Sequence, residues 1–443
     1  MKKEDRKKGL LIAWGIYATL CLAYSFAMKI NFGDETAFYA GKWTLSGLIP
    51  YVKWFDESWS SRLIINVVLT FLANHNYMIF RILNTAVMVM GTFFLTRITK
   101  MQRQTGGTLI VMAAFFGIPA LLHSSAGWIA TTTNYLWPLS FGLWVVDLLI
   151  RDFEGQKASI AERIVILPFF RYAIDSEQVC LMGLLFLAVY GGLYVKKKRK
   201  VPAYASVLFV ITLATMIYEL TCTGNASRDW MGDIDIYTGY EMKGFFAKIY
   251  YGFDATWNML LEDYLLVVPF AFSWICFGGA VLKGKAERAA GKATSGKIVA
   301  VVTAAFFTWC VAKRMMGSLD DSGVTELNVL NAVGISIYKK YFIRMLFTGC
   351  ILGTAFAAGE GIRSWVYVGI LLLGFGTSLA GGLTSSVYAS YCRPMFFLFF
   401  GMQFIAADIL IQNRKRSQWL ICSGSILFVL ELVSNVIFYV CER

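Results

Sequence analysis

Two carboxylates stand side by side directly after the first long apolar run of this sequence. They are Asp34 and Glu35, preceded by Asn31, Phe32 and Gly33. Adjacent carboxylates at such a place can act as a general base for a hydroxyl nucleophile, or they can hold a divalent cation. An ordinary solvated acidic pair in a loop fits the same residues, so the pair alone does not decide between these roles.

Isolated arginines stand near the ends of other apolar runs, apart from any basic cluster. Arg62 follows two serines, Arg228 closely follows Asn225, and Arg393 precedes Pro394. The guanidinium group has a planar fork of donors that matches phosphate oxygens, so Arg62 is a candidate phosphate ligand. An arginine that lays its stem along apolar surface and keeps its charge in water is an equally ordinary interpretation.

Amides, carboxylates and aromatic rings also gather at the ends of apolar runs. Asn134 and Tyr135 form an amide and a phenol at one such end, and both can hydrogen-bond a sugar. Trp137 fits an interfacial aromatic belt as well as a sugar site. Glu177 and Gln178 follow a turn, and at the start of the next run they can point into the mouth of a helix bundle.

The composition determines what kind of element carries these residues. Hydrophobic residues make up 57% of the 443 residues and charged residues only 16%, against about 25% charged in soluble domains. Thirteen apolar runs come close to the ~20 residues that cross a bilayer. They lie near 9–28, 77–96, 107–122, 134–150, 162–174, 178–195, 201–221, 259–282, 297–312, 341–358, 363–381, 394–411 and 418–440. The sequence therefore predicts an all-α, polytopic transmembrane helix bundle of about 13 helices, with 1–443 as a single integral membrane domain.

The basic residues indicate the orientation of this bundle. If the runs alternate sides, nearly every basic cluster falls on the side of the N-terminus, as the positive-inside rule requires. The clusters are Lys2–Lys8, Arg97–Arg103, Arg151–Arg163, Lys196–Lys200, Lys283–Lys297, Glu360–Arg363 and Arg414–Arg416. We therefore expect the N-terminus inside and the C-terminus outside a bacterial plasma membrane. The net charge of +13 is then an orientation signal, and nucleic acid is not expected as a partner.

The opposite side carries the two longest loops. The first extracytoplasmic loop spans 29–76, and the apolar spacing within Ser60–Ala73 predicts a surface helix there. The second loop spans 222–258. The nine cysteines show no C-x-x-C spacing and there are only two histidines, which disfavours a zinc site and a disulfide framework.

The order of these motifs resembles the GT-C class of membrane glycosyltransferases. It is similar to a largely uncharacterised bacterial family related to the glucosyltransferases of O-antigen and other cell-surface glycans. The matching residues run from the first apolar run to the twelfth. They are Gly33-Asp34-Glu35, Ser61-Arg62, Asn134-Tyr135-Leu136-Trp137-Pro138, Glu177-Gln178, Gly224-Asn225 with Arg228, and Arg393-Pro394.

The resemblance implies a reaction and a set of roles. Such enzymes transfer a sugar from a polyprenyl-phosphate donor to a cell-surface glycan acceptor on the extracytoplasmic face. Asp34 would be the catalytic base, with Glu35 beside it. Three arginines would bind the donor phosphate, namely Arg62, Arg228 and Arg393. Six residues would bind sugar or acceptor, namely Asn134, Tyr135, Trp137, Glu177, Gln178 and Asn225. A divalent cation on the acidic pair is the one cofactor left open.

Two other classes fit the same composition. A transporter or lipid-linked-sugar flippase places ionisable residues near the bilayer midplane, often on broken helices. Glu431, near the middle of the last apolar run, favours that class, although a buried acid bonded to a neighbouring helix also explains it. A glycan polymerase or ligase shares the polar outer face.

Overall fold

The fold is helical throughout the described part of the chain. A computed structural model describes residues 3–36, 43–156, 158–235, 239–262, 264–289, 296–316 and 335–441. Within these ranges there is no strand. Apolar segments of this length become helices in lipid because a helix satisfies its backbone hydrogen bonds internally. The chain forms two compact units. Unit 1 comprises Met1–Leu109 and His123–Glu241, and unit 2 comprises Ile110–Leu122 and Met242–Arg443.

The first half of the chain, up to the unit boundary at Glu241, contains α1 to α12 and one π-helical turn. In chain order they are α1 (Lys3–Ala27), α2 (Leu45–Ser58), α3 (Leu63–Asn74), α4 (Tyr77–Ile98), α5 (Thr105–Phe116), α6 (Ala120–Ser124), α7 (Trp128–Thr131), a π-helical turn (Thr132–Leu136), α8 (Trp137–Phe153), α9 (Ile160–Ala173), α10 (Glu177–Lys196), α11 (Ala203–Thr221) and α12 (Thr223–Asp235). In unit 1, α4 packs against α1 and α8, α10 against α11, and α12 against α2.

The second half continues with long helices. They are α13 (Phe245–Leu260), α14 (Val267–Ala289), α15 (Gly296–Met315), α16 (Ile335–Ala358), α17 (Ile362–Ala380), α18 (Phe396–Asn413) and α19 (Gln418–Cys441). Within unit 2, α14 packs against α15, α16, α18 and α19. Short 3₁₀ turns stand at Gly381–Leu383 and Arg393–Met395.

Ten helices of the described residues are long and apolar enough to cross a membrane. They occupy Lys7–Ala27, Tyr77–Ile98, Glu177–Lys196, Ala203–Met231, Val267–Gly284, Gly296–Met315, Lys339–Ala358, Ile362–Leu383, Arg393–Asn413 and Gln418–Phe438. Each matches one of the thirteen predicted runs, so the prediction of a multi-pass helical membrane protein is confirmed. The number thirteen itself stays a prediction.

The three remaining runs form shorter or interrupted helices. Run 107–122 is broken after Phe116, because Pro119 has no N–H to donate and disfavours helix at the residue before it. Run 134–150 begins in the π-helical turn, and run 162–174 forms the fourteen residues of α9.

Other boundaries also differ from the prediction. Run 259–282 is two helices, because α13 ends at Leu260 and α14 begins at Val267. The helix predicted at Ser60–Ala73 is confirmed as α3. The two long loops hold further helices that the prediction did not include: α2 lies within 29–76, and α12 with most of α13 lies within 222–258. The two C-terminal residues, Glu442 and Arg443, and six residues of the predicted basic segment 283–297 lie outside the described residues.

In each unit, polar contacts at or beside the basic segments join two of these segments to each other. In unit 1 the contacts are Arg97 with Asp147 (3.2 Å), Lys100 with Glu154 (2.7 Å) and Arg163 with Asp152 (2.7 Å). In unit 2 they are Lys283 with the Gly359 carbonyl (2.6 Å) and Arg416 with Glu360 (2.7 Å). Lys100 thus joins segment 97–103 to segment 151–163, and Arg416 joins segment 414–416 to Glu360, whereas the side of the membrane that they face stays a prediction.

Candidate functional site

The start of α3 is held by a buried aspartate from the turn between α9 and α10. Asp175 accepts a hydrogen bond from the Ile65 amide (2.9 Å) and another from Arg171 (2.9 Å). A carboxylate at a helix N-terminus faces the positive end of the helix dipole. Burial raises the pKa of Asp175, although these two donors act to lower it. The contact fixes Ser61 and Arg62 beside the start of α10.

The start of α12 closes the same site from another direction. A Cβ on Gly224 would lie 2.6 Å from the Asp56 carbonyl oxygen, so only glycine fits this approach of α12 to α2. Asn225 follows at once. Its Oδ1 accepts from the Ser61 amide (3.3 Å), and its Nδ2 donates to Ser61 Oγ (3.1 Å) and to the Glu219 carbonyl (2.8 Å).

Arg62 is the centre of a hydrogen-bonded cluster. Its Nε and Nη2 both lie 2.6 Å from Glu177 Oε2, and its Nη1 donates to Asn134 Oδ1 (2.8 Å). Ser61 Oγ donates to the other Glu177 oxygen (3.3 Å). The guanidinium carbon lies 5.8 Å from the centre of the Tyr135 ring. Burial acts to lower the pKa of Arg62, but Glu177 and Tyr135 outweigh it and the pKa is raised.

Asn134 and Tyr135 reach this cluster from the π-helical turn. In this turn the amide of residue i bonds the carbonyl of i−5, and Pro138 has no amide to give to Thr133. The Tyr172 hydroxyl donates to that carbonyl instead (2.8 Å). The side-chain Nδ2 of Asn134 donates to the Ala130 carbonyl (2.8 Å), which leaves the side-chain oxygen of Asn134 directed at Arg62. Single π turns are rare in proteins, and those that occur are frequently found at functional sites.

Two ionisable groups beside the cluster have unused hydrogen-bonding capacity. Among the described residues, Arg228 Nε is buried without a hydrogen-bond partner, and so are both carboxyl oxygens of Glu219. The charges of Glu177 and Arg62 act on Arg228. Glu219 was missed in the sequence analysis, although it is the only charged residue in the apolar run 201–221, a place where acids are costly and usually functional.

Asp34 and Glu35 are anchored to the segment that leads into the π-helical turn. Glu35 is fully buried, and it accepts hydrogen bonds from the amides of Ile129 (2.5 Å) and Asn31 (3.1 Å). Burial raises the pKa of Glu35 to about 7, against the effect of its backbone donors. Asp34 is exposed, and its amide donates to the Ala126 carbonyl (2.8 Å).

Three other predicted site residues have different surroundings. The Trp137 ring is buried and its indole N–H donates to Asn84 (3.0 Å), so this side chain is part of the packing of unit 1. Gln178 is half-buried next to Glu177. Arg393 belongs to unit 2, where its Nε donates to the carbonyl of Ser390, three residues earlier (3.0 Å).

The structure therefore brings together Arg62, Asn134, Tyr135, Glu177 and Asn225, with Arg228 beside them. Two arginines, amide groups and a phenol at one place can bind an anion and a polyhydroxy ligand. In the described ranges, no group of three or more His, Cys, Asp or Glu side chains is arranged to hold a metal ion.

Comparison with known proteins adds no relative. No protein-family model matches the chain, and neither a curated protein nor a solved structure matches it.

Proposed function

We propose that the chain is a GT-C-type glycosyltransferase of the bacterial plasma membrane. It transfers a sugar from a polyprenyl-phosphate donor to a cell-surface glycan acceptor on the extracytoplasmic face. The observation that carries this proposal is the cluster of Arg62, Arg228, Asn134 and Asn225 in unit 1. The tail of such a donor partitions into the bilayer while its phosphate stays at the interface, so an enzyme needs cationic donors at that level.

Within this proposal, Arg228 is the first ligand of the donor phosphate. Its Nε has no hydrogen-bond partner among the described residues, whereas the donors of Arg62 are directed to Glu177 and Asn134. Arg62 therefore positions Glu177 and adds positive charge. A preorganised cation stabilises the negative charge that develops on a departing phosphate. Arg393 is a further candidate in unit 2.

Asp34 is proposed as the general base, because it is exposed and held at the head of the segment that carries Asn134. Glu35 is proposed to hold that loop in place through its backbone contacts. The sugar and acceptor are assigned to Asn134, Tyr135, Gln178 and Asn225, which lie around the arginines.

The base assignment is tested with Asp34→Asn. Asparagine keeps the size of the side chain but cannot take a proton, so turnover should fall by about 10²–10⁴-fold. The assay follows labelled sugar from a polyprenyl-phosphate donor into a crude envelope acceptor with purified protein. Glu57→Gln is the matched control, because Glu57 is an exposed acid of unit 1 whose ion pair with Lys53 (3.6 Å) is also exposed. Transfer by Asp34→Asn at the wild-type rate would refute the assignment.

The phosphate assignment is tested with two variants of Arg228. Arg228→Gln removes the charge and should raise the KM for the donor by about 10-fold or more, since hydrogen bonds to charged groups contribute about 1.5–3 kcal/mol. Arg228→Lys keeps the charge without the planar fork and should recover part of the loss. An unchanged KM in both variants would remove Arg228 from the site.

A transporter is the second candidate, and one observation favours it. Glu431 is buried in α19 with neither carboxyl oxygen hydrogen-bonded among the described residues. Purified protein that transfers no sugar to an acceptor, but transports a lipid-linked sugar or a solute across liposome membranes, would support the transporter.

A further inference from the structure

A second cluster of polar groups lies at a break in the helical backbone, entirely within unit 2. α5 ends at Phe116 and α6 begins at Ala120, with Pro119 between them. The Gly117 amide still closes a helical hydrogen bond to the Ala113 carbonyl (2.8 Å). Beyond it the regular ladder stops, so backbone groups at the break need partners from other helices.

Two amide side chains supply those partners. Asn435 of α19 accepts from the Ala120 amide (2.7 Å) and donates to the Ile118 carbonyl (3.4 Å). Gln403 of α18 donates to the Gly117 carbonyl (3.4 Å). Asn435 and Gln403 are both buried. The break is therefore held by neutral groups from α18 and α19.

Glu431 directs a carboxyl group into this place. It stands one helical turn before Asn435, so the two side chains share one face of α19. The side chain of Glu431 is 1% exposed. A Cβ on Gly117 would lie 2.9 Å from Glu431 Oε2, which shows that the carboxyl rests against the backbone of the break. Gln403 interacts with this carboxyl, yet within the described residues neither oxygen has a partner at hydrogen-bond distance.

Among the residues that the structure describes, none places a fixed positive charge against Glu431. α19 packs against α14 and α18, whose described ionisable side chains are occupied elsewhere or do not act on it. Asp408 accepts from Tyr367 (2.5 Å), Lys283 donates to Gly359, and Cys276 is buried. α5 carries no ionisable side chain. An unpaired buried carboxylate is very costly, so a mobile positive charge must accompany this one.

We propose that Glu431, with Gln403, Asn435 and the backbone break at Gly117–Ala120, forms a binding site for a monovalent cation, either a proton or Na⁺. The shared requirement is a single positive charge placed against one carboxylate and surrounding amide and carbonyl oxygens. Such oxygens are suitable ligands for hard cations, and broken helices provide cation sites in membrane proteins. The proposal is independent of sugar transfer, which we assign to unit 1.

The test compares the thermal stability of full-length wild-type protein and Glu431→Gln in detergent. Melting temperature is measured against pH in choline buffer and against NaCl at fixed ionic strength. A cation that binds only the folded state should raise the wild-type Tm by on the order of 1–3 °C for each tenfold rise in its concentration above Kd. Glutamine carries no charge, so Glu431→Gln should lose this response.

Each arm has a defined outcome. A response to Na⁺ in wild type alone identifies a sodium site, and a difference in pH response without a Na⁺ effect identifies a proton site. Glu360→Gln, which removes an exposed acid paired with Arg416, should follow wild type in both arms. If wild type and Glu431→Gln respond in parallel to pH and to Na⁺, the proposal is overturned. Should Glu431→Gln fail to fold, Asn435→Asp, which adds a second carboxyl beside the break, should increase the cation response.

Discussion

Two neighbouring carboxylates show how differently adjacent residues can be used. In the sequence, Asp34 and Glu35 are indistinguishable as candidates for a base or a cation site. In the structure, Glu35 is 0% exposed and bonded to backbone amides, whereas Asp34 is exposed. A group surrounded by backbone donors is suited to holding a loop, and an exposed one to exchanging protons.

This contrast predicts a specific pH dependence of stability. Burial raises the pKa of Glu35 from 4.5 to about 7, so between these pH values the folded protein retains a proton that the unfolded chain releases. The contribution of Glu35 to stability is therefore greatest below pH 4.5 and is lost as pH rises from 4.5 through 7. The expected loss is about 3 kcal/mol. Equilibrium unfolding or Tm between pH 4 and 8 measures it.

Glu35→Gln should remove this pH dependence. Glutamine offers one oxygen where two backbone amides need acceptors, so the variant should be less stable than wild type at pH 4.5 by about 1 kcal/mol. The difference should shrink or reverse by pH 8. Asp34→Asn is the exposed neighbouring control. Parallel pH curves for wild type and Glu35→Gln would contradict the prediction.

Sequence alone named part of the candidate site, while the roles of these residues stay predictions. Arg62, Asn134, Glu177 and Asn225 converge because each stands at a helix end on the same predicted side. Sequence could not show that Glu177 occupies two donors of Arg62, because that depends on how three helices meet. It could not show either that Trp137 is buried, since an interfacial and a packed tryptophan have the same neighbours in sequence.

At the scale of elements, a glycine controls where Asp34 is held. Gly127 begins α7 with φ +101°, and a Cβ there would lie 2.4 Å from the Phe32 carbonyl oxygen and 2.8 Å from Glu35 Cγ. Gly127→Ala should therefore displace the loop. We expect at least about 3 kcal/mol of destabilisation, from backbone strain plus the clash, measured by unfolding.

Gly155 offers a matched control for this substitution. It also has positive φ, +86°, but a Cβ there meets nothing within 4 Å. Gly155→Ala should cost only the backbone strain, about 1–2 kcal/mol. Equal costs for the two variants would mean that the contact with the Asp34 loop does not matter.

Long apolar helices were predictable and their interruptions were less so. Ten predicted runs match because hydropathy over about 20 residues is a strong pattern. The break at Pro119 had a local cause visible in the sequence, yet the apolar residues on both sides concealed it. The helices α2, α12 and α13 lie in segments without a long continuous apolar run, where hydropathy over about 20 residues is uninformative and packing against neighbours stabilises the helix.

At the scale of the whole molecule, we propose thirteen crossings with the N-terminus inside and the C-terminus outside. Two basic segments contact each other in each unit, which supports a common side for each pair. A reporter fused after Arg443 should therefore be extracytoplasmic, and one inserted within Lys283–Lys297 cytoplasmic. Alkaline phosphatase and green fluorescent protein fusions distinguish the two sides.

The outcome of that experiment also tests the count of helices. A cytoplasmic reporter at Arg443 would mean an even number of crossings. Insertion at Lys196–Lys200, expected to be cytoplasmic, locates the error. A cytoplasmic result there places it after Lys200, and an extracytoplasmic result places it before.

The π-helical turn restricts the rotation of α8 about its own axis to discrete orientations. In an α-helix through Thr132–Leu136, the Asn134 carbonyl would have no hydrogen-bond donor, because Pro138 has no backbone N–H. In the π turn it is the Thr133 carbonyl that faces Pro138, and the Tyr172 hydroxyl donates to it. Pro138 and Tyr172 thus prevent α8 from rotating about its own axis by one residue, about 100°. Deleting Leu136, which lies between Asn134 and α8, would rotate Asn134 by about 100° relative to α8 and turn its side chain away from Arg62.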